Sequence, residues 1–212
     1  MPRYFIKLAY NGKDFHGWQI QDNAITVQGE LNKGLGLLLG EEIKTTGCGR
    51  TDAGVHASEF FAHFDGPQLI DNLVYKLNSY LPNEIVVDSI QEVKSESHAR
   101  FDAKLRTYHY FFHTKLNPFL GEYSCYVAGS LDVKLMNEAA QILLTITDFT
   151  SFSKIHTETY TNNCAVSFAE IIKIEEGQYK FVITADRFLR NMVRAIMGTL
   201  IEVGRGKVSL EQ

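Results

Sequence analysis

Two hydrophobic patterns alternate along this chain, and their order is the feature that most restricts its fold. Short segments with every second residue apolar are typical of strands, whereas apolar residues spaced by three and four are typical of amphipathic helices. The first half predicts a strand, a helix, two strands, a helix and a strand, in the segments RYFIKLAY, TVQGELNKGLGLLLG, EIKTTGCG, HASEFFAHF, QLIDNLVYKLNSYL and EIVVDSIQEV. This order is typical of a ferredoxin-like domain.

The second half begins the same order of elements again. It predicts a strand, a helix, two strands and a helix, in the segments KLRTYHYFFHT, LDVKLMNEAAQILLT, CAVSFAEIIKIEE, YKFVITA and RFLRNMVRAIMGTLIEVG. The strand that would close this half is missing from the pattern. We therefore predict an α+β fold of two ferredoxin-like (RRM-like) halves with antiparallel sheets, residues 1–100 and 101–212, the second without its last strand.

Composition indicates a folded protein without an evident metal site. With 212 residues, 45% of them hydrophobic, the chain can bury one large core or two small ones. It has no segment of the signal-peptide or membrane-spanning kind, so we predict a soluble, cytoplasmic protein. The cysteines Cys48, Cys125 and Cys164 are scattered without metal-ligand spacing, and we expect them to be reduced and mostly buried.

The net charge of the chain does not favour an RNA partner, but one local cluster of basic residues does. The net charge of −4 argues weakly against nucleic-acid binding, because phosphate neutralisation normally requires a basic surface. Between residues 187 and 207, however, one acid, Glu202, is accompanied by five basic residues: Arg187, Arg190, Arg194, Arg205 and Lys207. The first three are spaced to form a basic stripe on a predicted helix. For Arg187 and Arg190 the alternative is a solvated face that touches phosphates only loosely. Arg194 has apolar neighbours on both sides, so we expect it to need an anion.

The segment GRTDAGVHA presents one carboxylate, Asp52, in a turn between two predicted strands. Glycines on both sides allow close backbone approach, and Arg50 favours the ionised form of Asp52. A structural role as an Asx-turn acceptor is the alternative, and we expect His56 to be structural. Glycoside hydrolysis usually uses two carboxylates, and strand alternation directs the next acid, Glu59, elsewhere. No nucleophile elbow, P-loop, dinucleotide-binding or zinc-protease motif is present.

The segment RTYHYFF predicts a strand with four residues on one face: Arg106, Tyr108, Tyr110 and Phe112. Arginine and aromatic side chains on a sheet are typical of surfaces that stack unpaired RNA bases. The alternative is that this face belongs to the core, above all for Tyr110 and Phe112. Tyr108 is the better candidate for a binding role, because its hydroxyl would need a partner if buried.

Six segments together resemble the tRNA pseudouridine synthase A family. They are YNGKDFHGWQIQ, GRTDAGVHA, LPNEIVV, HARFDAKLRTYHY, DFTSFSK and FLRNMVRAIMGTLIEVG, which extend in order from Tyr10 to Gly204. The resemblance implies the pseudouridine synthase fold with a central cleft between its halves, and conversion of uridine to pseudouridine in the anticodon stem-loop of tRNA. It also implies a homodimer that works without cofactor or metal.

The resemblance assigns roles to particular residues. Asp52 is the catalytic aspartate, Arg50 its neighbour in the motif, Tyr108 the ring that stacks on the target base, and Arg194 the cation paired with the aspartate. The expected substrate contacts are Tyr108, Arg106, Arg187, Arg190, Arg205 and Lys207. Members of the family continue beyond the last predicted helix into an apolar strand, whereas this sequence ends at Gln212. We therefore expect the substrate pocket to be incomplete. The competing hypotheses are a noncatalytic RNA-binding module and a nucleoside hydrolase that releases free base.

Overall fold

A computed structural model of the chain describes residues 1–153 and 160–211. The chain divides into two compact units, Met1–Ala103 and Lys104–Gln212. Within the described ranges, each unit contains helices and one four-stranded sheet. The predicted mixture of helices and sheets is therefore confirmed.

The first unit contains its six elements in the predicted order. They are β1 (Arg3–Tyr10), α1 (Val27–Leu39), β2 (Thr46–Gly47), β3 (Ala57–Asp65), α2 (Leu73–Tyr80) and β4 (Ile85–Val93). The strands lie in the order β2-β3-β1-β4, and β1 is antiparallel to both of its neighbours. Two elements are shorter than predicted: β2 has only two residues, and α2 begins at Leu73.

One face of the first sheet is buried, as the alternation of apolar residues predicts. The buried apolar side chains of its two central strands are Tyr4, Ile6, Leu8, Tyr10, Phe60, Ala62 and Phe64. Apolar residues of α1, among them Leu31 and Leu35, belong to the same core. Thr26 caps α1 as predicted, because its Oγ1 accepts a hydrogen bond of 3.2 Å from the backbone N–H of Gly29.

The second unit contains one strand that the sequence pattern does not predict. Its elements are β5 (Arg106–His113), β6 (Cys125–Tyr126), α3 (Val133–Ile142), a 3₁₀ turn (Thr150–Phe152), β7 (Val166–Glu175), β8 (Gln178–Ala185) and α4 (Met192–Gly204). The strand order is β6-β5-β8-β7. The unpredicted strand β6 is parallel to β5 and pairs with it through Phe112 and His113. The described residues that follow α4, 205–211, form no strand.

The last helix corrects the predicted basic stripe. Helix α4 begins at Met192, after Asn191 in a left-handed conformation with φ of 67°, so Arg187 and Arg190 precede the helix. The chain before it is held in a turn, because the carboxylate of Asp186 accepts hydrogen bonds from the backbone N–H groups of Ala165 and Arg187. The predicted stripe of three arginines on one helix is therefore wrong.

Arg194 does lie on α4, but its surroundings differ from the prediction. Its side chain is exposed, because the turn of the helix directs other residues into the core. The buried residues of α4 are Met192, Ile196, Met197, Leu200, Val203 and Gly204. The premise that apolar sequence neighbours bury the Arg194 guanidinium is therefore wrong, whereas its pairing with an anion stays a prediction.

A buried histidine holds the end of the first unit against its sheet. The imidazole Nδ1 of His63 accepts a hydrogen bond of 3.1 Å from the backbone N–H of Ala99. The ring of His98 lies beside it, with 4.5 Å between ring centroids. Burial lowers the pKa of His63 below its ordinary value of 6.5, and the charges of His98 and Arg3 act in the same direction. The folded chain therefore favours the neutral imidazole.

The lowered pKa of His63 predicts that the folded chain loses stability in acid. The unfolded chain takes up a proton on His63 as the pH falls through 6.5, whereas the folded chain takes it up only at lower pH. The free energy of unfolding should therefore decrease from pH 6.5 downwards. His63→Asn keeps an acceptor for Ala99 without a titrating group, so its urea midpoint should fall less between about pH 7.5 and about pH 5. Equal acid slopes for both proteins would contradict this expectation.

Candidate active site

Two loops of the first unit are joined through their backbones and hold Asp52. We call residues 11–18, which follow β1, the support loop, and residues 48–56, which precede β3, the aspartate loop. The backbone N–H of Trp18 donates to the carbonyl of Thr51 at 3.2 Å, and the N–H of Gly54 donates to the carbonyl of Phe15 at 3.2 Å. Because these two bonds lie on either side of Asp52 in sequence, they fix the backbone that carries its carboxylate.

Two side chains add hydrogen bonds to the same pair of loops. The hydroxyls of Tyr10 and Thr51 are 2.9 Å apart. The imidazole Nδ1 of His56 lies 3.1 Å from the backbone nitrogen of Gly12, and it must be the acceptor because a peptide N–H can only donate. This bond agrees with the structural role expected for His56.

Two glycines of the support loop make this close approach possible. A Cβ on Gly12 would overlap the carbonyl oxygen of Val55. A Cβ on Gly17 would overlap the carbonyl oxygen of Thr51, and Gly17 also has a φ of +86° that L-residues rarely adopt. The segment YNGKDFHGW therefore supports the aspartate loop, a function that the sequence analysis missed. The two glycines are the signal, but nothing local indicates which segment they contact.

Asp52 is half-buried and Arg50 is exposed. Trp18 of the support loop is buried and packs against Phe60 of β3, with ring centroids 4.3 Å apart. Glu59 forms an ion pair of 3.0 Å with Lys7. This contact agrees with the expectation that strand alternation directs Glu59 elsewhere than the Asp52 carboxylate.

The predicted aromatic face of β5 points towards the core of the second unit. Phe112 is fully buried, which supports the core interpretation for this residue. Tyr108 and Tyr110 are half-buried and pack against the same core. Tyr108 also meets the ring of Phe188 edge to face, with 4.9 Å between centroids. Arg106 donates a hydrogen bond of 2.8 Å to the carbonyl oxygen of Asp186.

Two groups of the second unit, Cys125 and Arg194, influence the pKa of Tyr110. Burial, followed by a hydrogen bond with Cys125, raises the pKa of the Tyr110 phenol to about 12. The positive charge of Arg194 acts in the opposite direction. Arg194 is therefore close enough to the aromatic face of β5 to influence a phenol electrostatically.

The remaining basic residues differ in their exposure and in their ion pairs. Arg187 is half-buried and Arg190 is exposed. Arg205 and Lys207 both form ion pairs of 3.0 Å with Glu202. Hydrogen bonds from Lys207 and then Arg205 lower the pKa of the Glu202 carboxyl. The charges of Arg205 and Lys207 are therefore partly compensated within the chain.

Sequence reasoning was partly wrong about the cysteines. Cys164 is buried and Cys48 half-buried, but Cys125 is exposed because β6 lies at the edge of its sheet. In the described part of the chain, no group of three or more His, Cys, Asp or Glu residues could hold a metal ion. No helix in the same residues is both long and apolar enough to cross a membrane.

Comparison with known proteins gives consistent matches. A family model described as tRNA pseudouridine synthase matches residues 139–212. The tRNA pseudouridine synthase A of Bacteroides thetaiotaomicron is 53% identical, over 100% of this chain and 80% of that protein. The protein of the same name from Parabacteroides distasonis is 51% identical, over 100% of this chain and 84% of that protein. The tRNA pseudouridine synthase A 2 of Bacillus cereus is 39% identical, over 100% of this chain and 88% of that protein.

Proposed function

We propose that this chain, which belongs to the tRNA pseudouridine synthase A family, converts uridine to pseudouridine in tRNA through the carboxylate of Asp52. The observation that carries the proposal is the single acid in the aspartate loop, which is held on both sides by backbone bonds to the support loop. Accurate placement of one group is what this isomerisation needs, because nothing is added to or removed from the substrate.

The reaction breaks the bond between C1′ of the ribose and N1 of the base, rotates the base and joins C1′ to C5. The proton leaves C5 and N1 gains one, so the atoms balance. A carboxylate can act as a nucleophile or as a base in this sequence. In our assignment Asp52 has this role, Arg50 and Arg194 supply positive charge, and Tyr108 stacks on the target base.

The position of Tyr108 supports its assigned role. Its ring is held on one side by the edge-to-face contact with Phe188, while the half-buried side chain keeps part of its surface accessible. Stacking of a base on an aromatic ring contributes roughly 1–3 kcal/mol. This contribution is comparable with the few kcal/mol, as an order of magnitude, that flipping a nucleotide out of its stack costs.

Finer points of the proposal concern fold and partners. We propose that each unit is ferredoxin-like, and the strand order β2-β3-β1-β4 supports this for the first unit. We also propose a homodimer that acts in the cytoplasm on the anticodon arm of tRNA. These last points rest on the family alone.

The direct test uses the purified chain and an unmodified tRNA transcript. Pseudouridine is mapped by its specific chemical adduct, and free uracil is measured in the same reaction. We expect pseudouridine in the anticodon arm and no free base. Binding without product would favour the noncatalytic RNA-binding module, and released uracil would favour the nucleoside hydrolase.

Salt dependence tests the basic residues before α4. Because Arg187 and Arg190 are proposed to contact phosphates, reversing both charges to glutamate should weaken tRNA binding. The slope of log affinity against log salt should fall by about one for each phosphate that is no longer neutralised. The control is Lys134→Glu, which reverses an exposed charge on α3. An unchanged slope in the double variant would remove these arginines from the RNA site.

A further inference from the structure

Tyr10 connects the first sheet directly to the residue before Asp52. It is the last residue of β1, and its hydroxyl lies 2.9 Å from the hydroxyl of Thr51. The two residues are 41 positions apart in sequence. Because Thr51 precedes Asp52, a change in the position of Thr51 is passed on to the carboxylate through a single peptide link.

The ring of Tyr10 is buried and packs against two other aromatic rings. Only 4% of the residue is exposed, and its backbone pairs with Ala57 on one side and Ile85 on the other. The ring packs against Phe60 and Trp18, with centroid distances of 5.6 and 6.3 Å. The hydroxyl therefore projects from a rigid support.

Thr51 is held at two points by this arrangement. Its carbonyl oxygen accepts the bond from Trp18, and its side chain meets Tyr10. The carbonyl bond alone leaves rotation about the Thr51 backbone possible, whereas a second contact through the side chain restricts it. The pair of contacts thus sets the direction in which the following residue leaves the support.

We propose that Tyr10 is a positioning residue, which orients the carboxylate of Asp52 through the hydroxyl of Thr51. The proposal rests on the proposed function, in which Asp52 reacts with the target nucleotide. A ring without its hydroxyl fills the same space in the core, so packing does not require the tyrosine hydroxyl at this position. The bond of this hydroxyl to Thr51 instead connects the sheet to the aspartate loop.

The test removes the hydroxyl alone, with Tyr10→Phe in the full chain. The single-turnover rate of pseudouridine formation on a tRNA transcript should fall about tenfold, because small displacements of a reacting group are costly. The dissociation constant for tRNA should stay unchanged. Thr51→Val should cause a similar loss, Thr51→Ser should restore the rate, and the Tyr10→Phe, Thr51→Val double variant should lose no more than either single variant.

The matched control is Tyr4→Phe on the same strand. Tyr4 is equally buried, with 3% exposed, but it lies near the other end of β1, where it pairs with Phe64 and Glu92, away from the aspartate loop. This variant measures the effect of losing a buried tyrosine hydroxyl on stability, and its single-turnover rate should equal that of the wild type. Equal losses of rate in Tyr4→Phe and Tyr10→Phe would overturn the positioning role.

The outcomes separate this inference from the proposed function. If the wild type forms pseudouridine and Asp52→Asn does not, a wild-type rate in Tyr10→Phe overturns the inference alone. If the wild type forms none, or Asp52→Asn keeps its activity, the proposed function fails. Melting temperatures of all variants establish that the rates belong to folded protein.

Discussion

Replacing Asp52 with asparagine should abolish pseudouridine formation in a chain that still folds and binds tRNA. Asparagine keeps the size of the side chain and most of the hydrogen bonding of a turn, but it has no charge and is a poor nucleophile and base. We expect the single-turnover rate to fall by more than about a thousandfold, as is common when a reacting side chain is removed. Binding should be at least as tight as in the wild type, because a negative charge near the phosphates is removed.

Two further variants define what this result means. Asp52→Glu keeps the charge but moves it by one methylene, and such a displacement costs about a hundredfold in rate. Asp14→Asn removes an exposed carboxylate from the support loop and should leave the rate unchanged. Near wild-type turnover in Asp52→Asn would show that the catalytic assignment is wrong, and the RNA-binding module would then be the better hypothesis.

Gly17→Ala should impair both stability and activity. An added Cβ would overlap the carbonyl oxygen of Thr51, and its φ of +86° is unfavourable for alanine. Backbone strain of this kind costs about 1–3 kcal/mol, to which the overlap adds. The aspartate loop must move away, so we expect the single-turnover rate to fall by about a hundredfold or more. Urea denaturation and rate measurements on the same preparation test this.

Gly40→Ala is the matched control for backbone strain. Gly40 has a similar φ of +76° at the end of α1, but no atom lies within 4 Å of the position that its Cβ would occupy. It should lose stability through its φ alone and keep the rate of the wild type. If Gly17→Ala matched Gly40→Ala in both measurements, the support loop would not be holding the aspartate loop.

The sequence alone determined the elements whose signals are local. Strand β1 and helix α1 have continuous apolar periodicity, and Thr26 marks the start of the helix with a side chain that can cap it. These signals depend on residues a few positions apart, which is the range over which a strand or helix orders itself. The family resemblance and the choice of Asp52 as the candidate catalytic residue also came from contiguous motifs.

Elements that depend on tertiary contacts were missed or displaced. Strand β6 has two residues and exists because it pairs with β5. Helix α4 begins later than its periodicity predicts, since the carboxylate of Asp186 and the left-handed Asn191 hold the preceding chain in a turn. The direction of Arg194 likewise follows from the rotation of a packed helix, which its sequence neighbours do not reveal.

The support of Asp52 was decided entirely by tertiary structure. The sequence presents Tyr10, Gly12 and Gly17 in one motif and Asp52 in another, but no periodicity relates them. Only the antiparallel pairing of β1 with β3 brings the last residue of β1 opposite the first residue of β3, and hence the two loops to the same end of the sheet. Hydrogen bonds between distant segments become favourable once the core beneath them has packed, because chain entropy opposes each contact on its own.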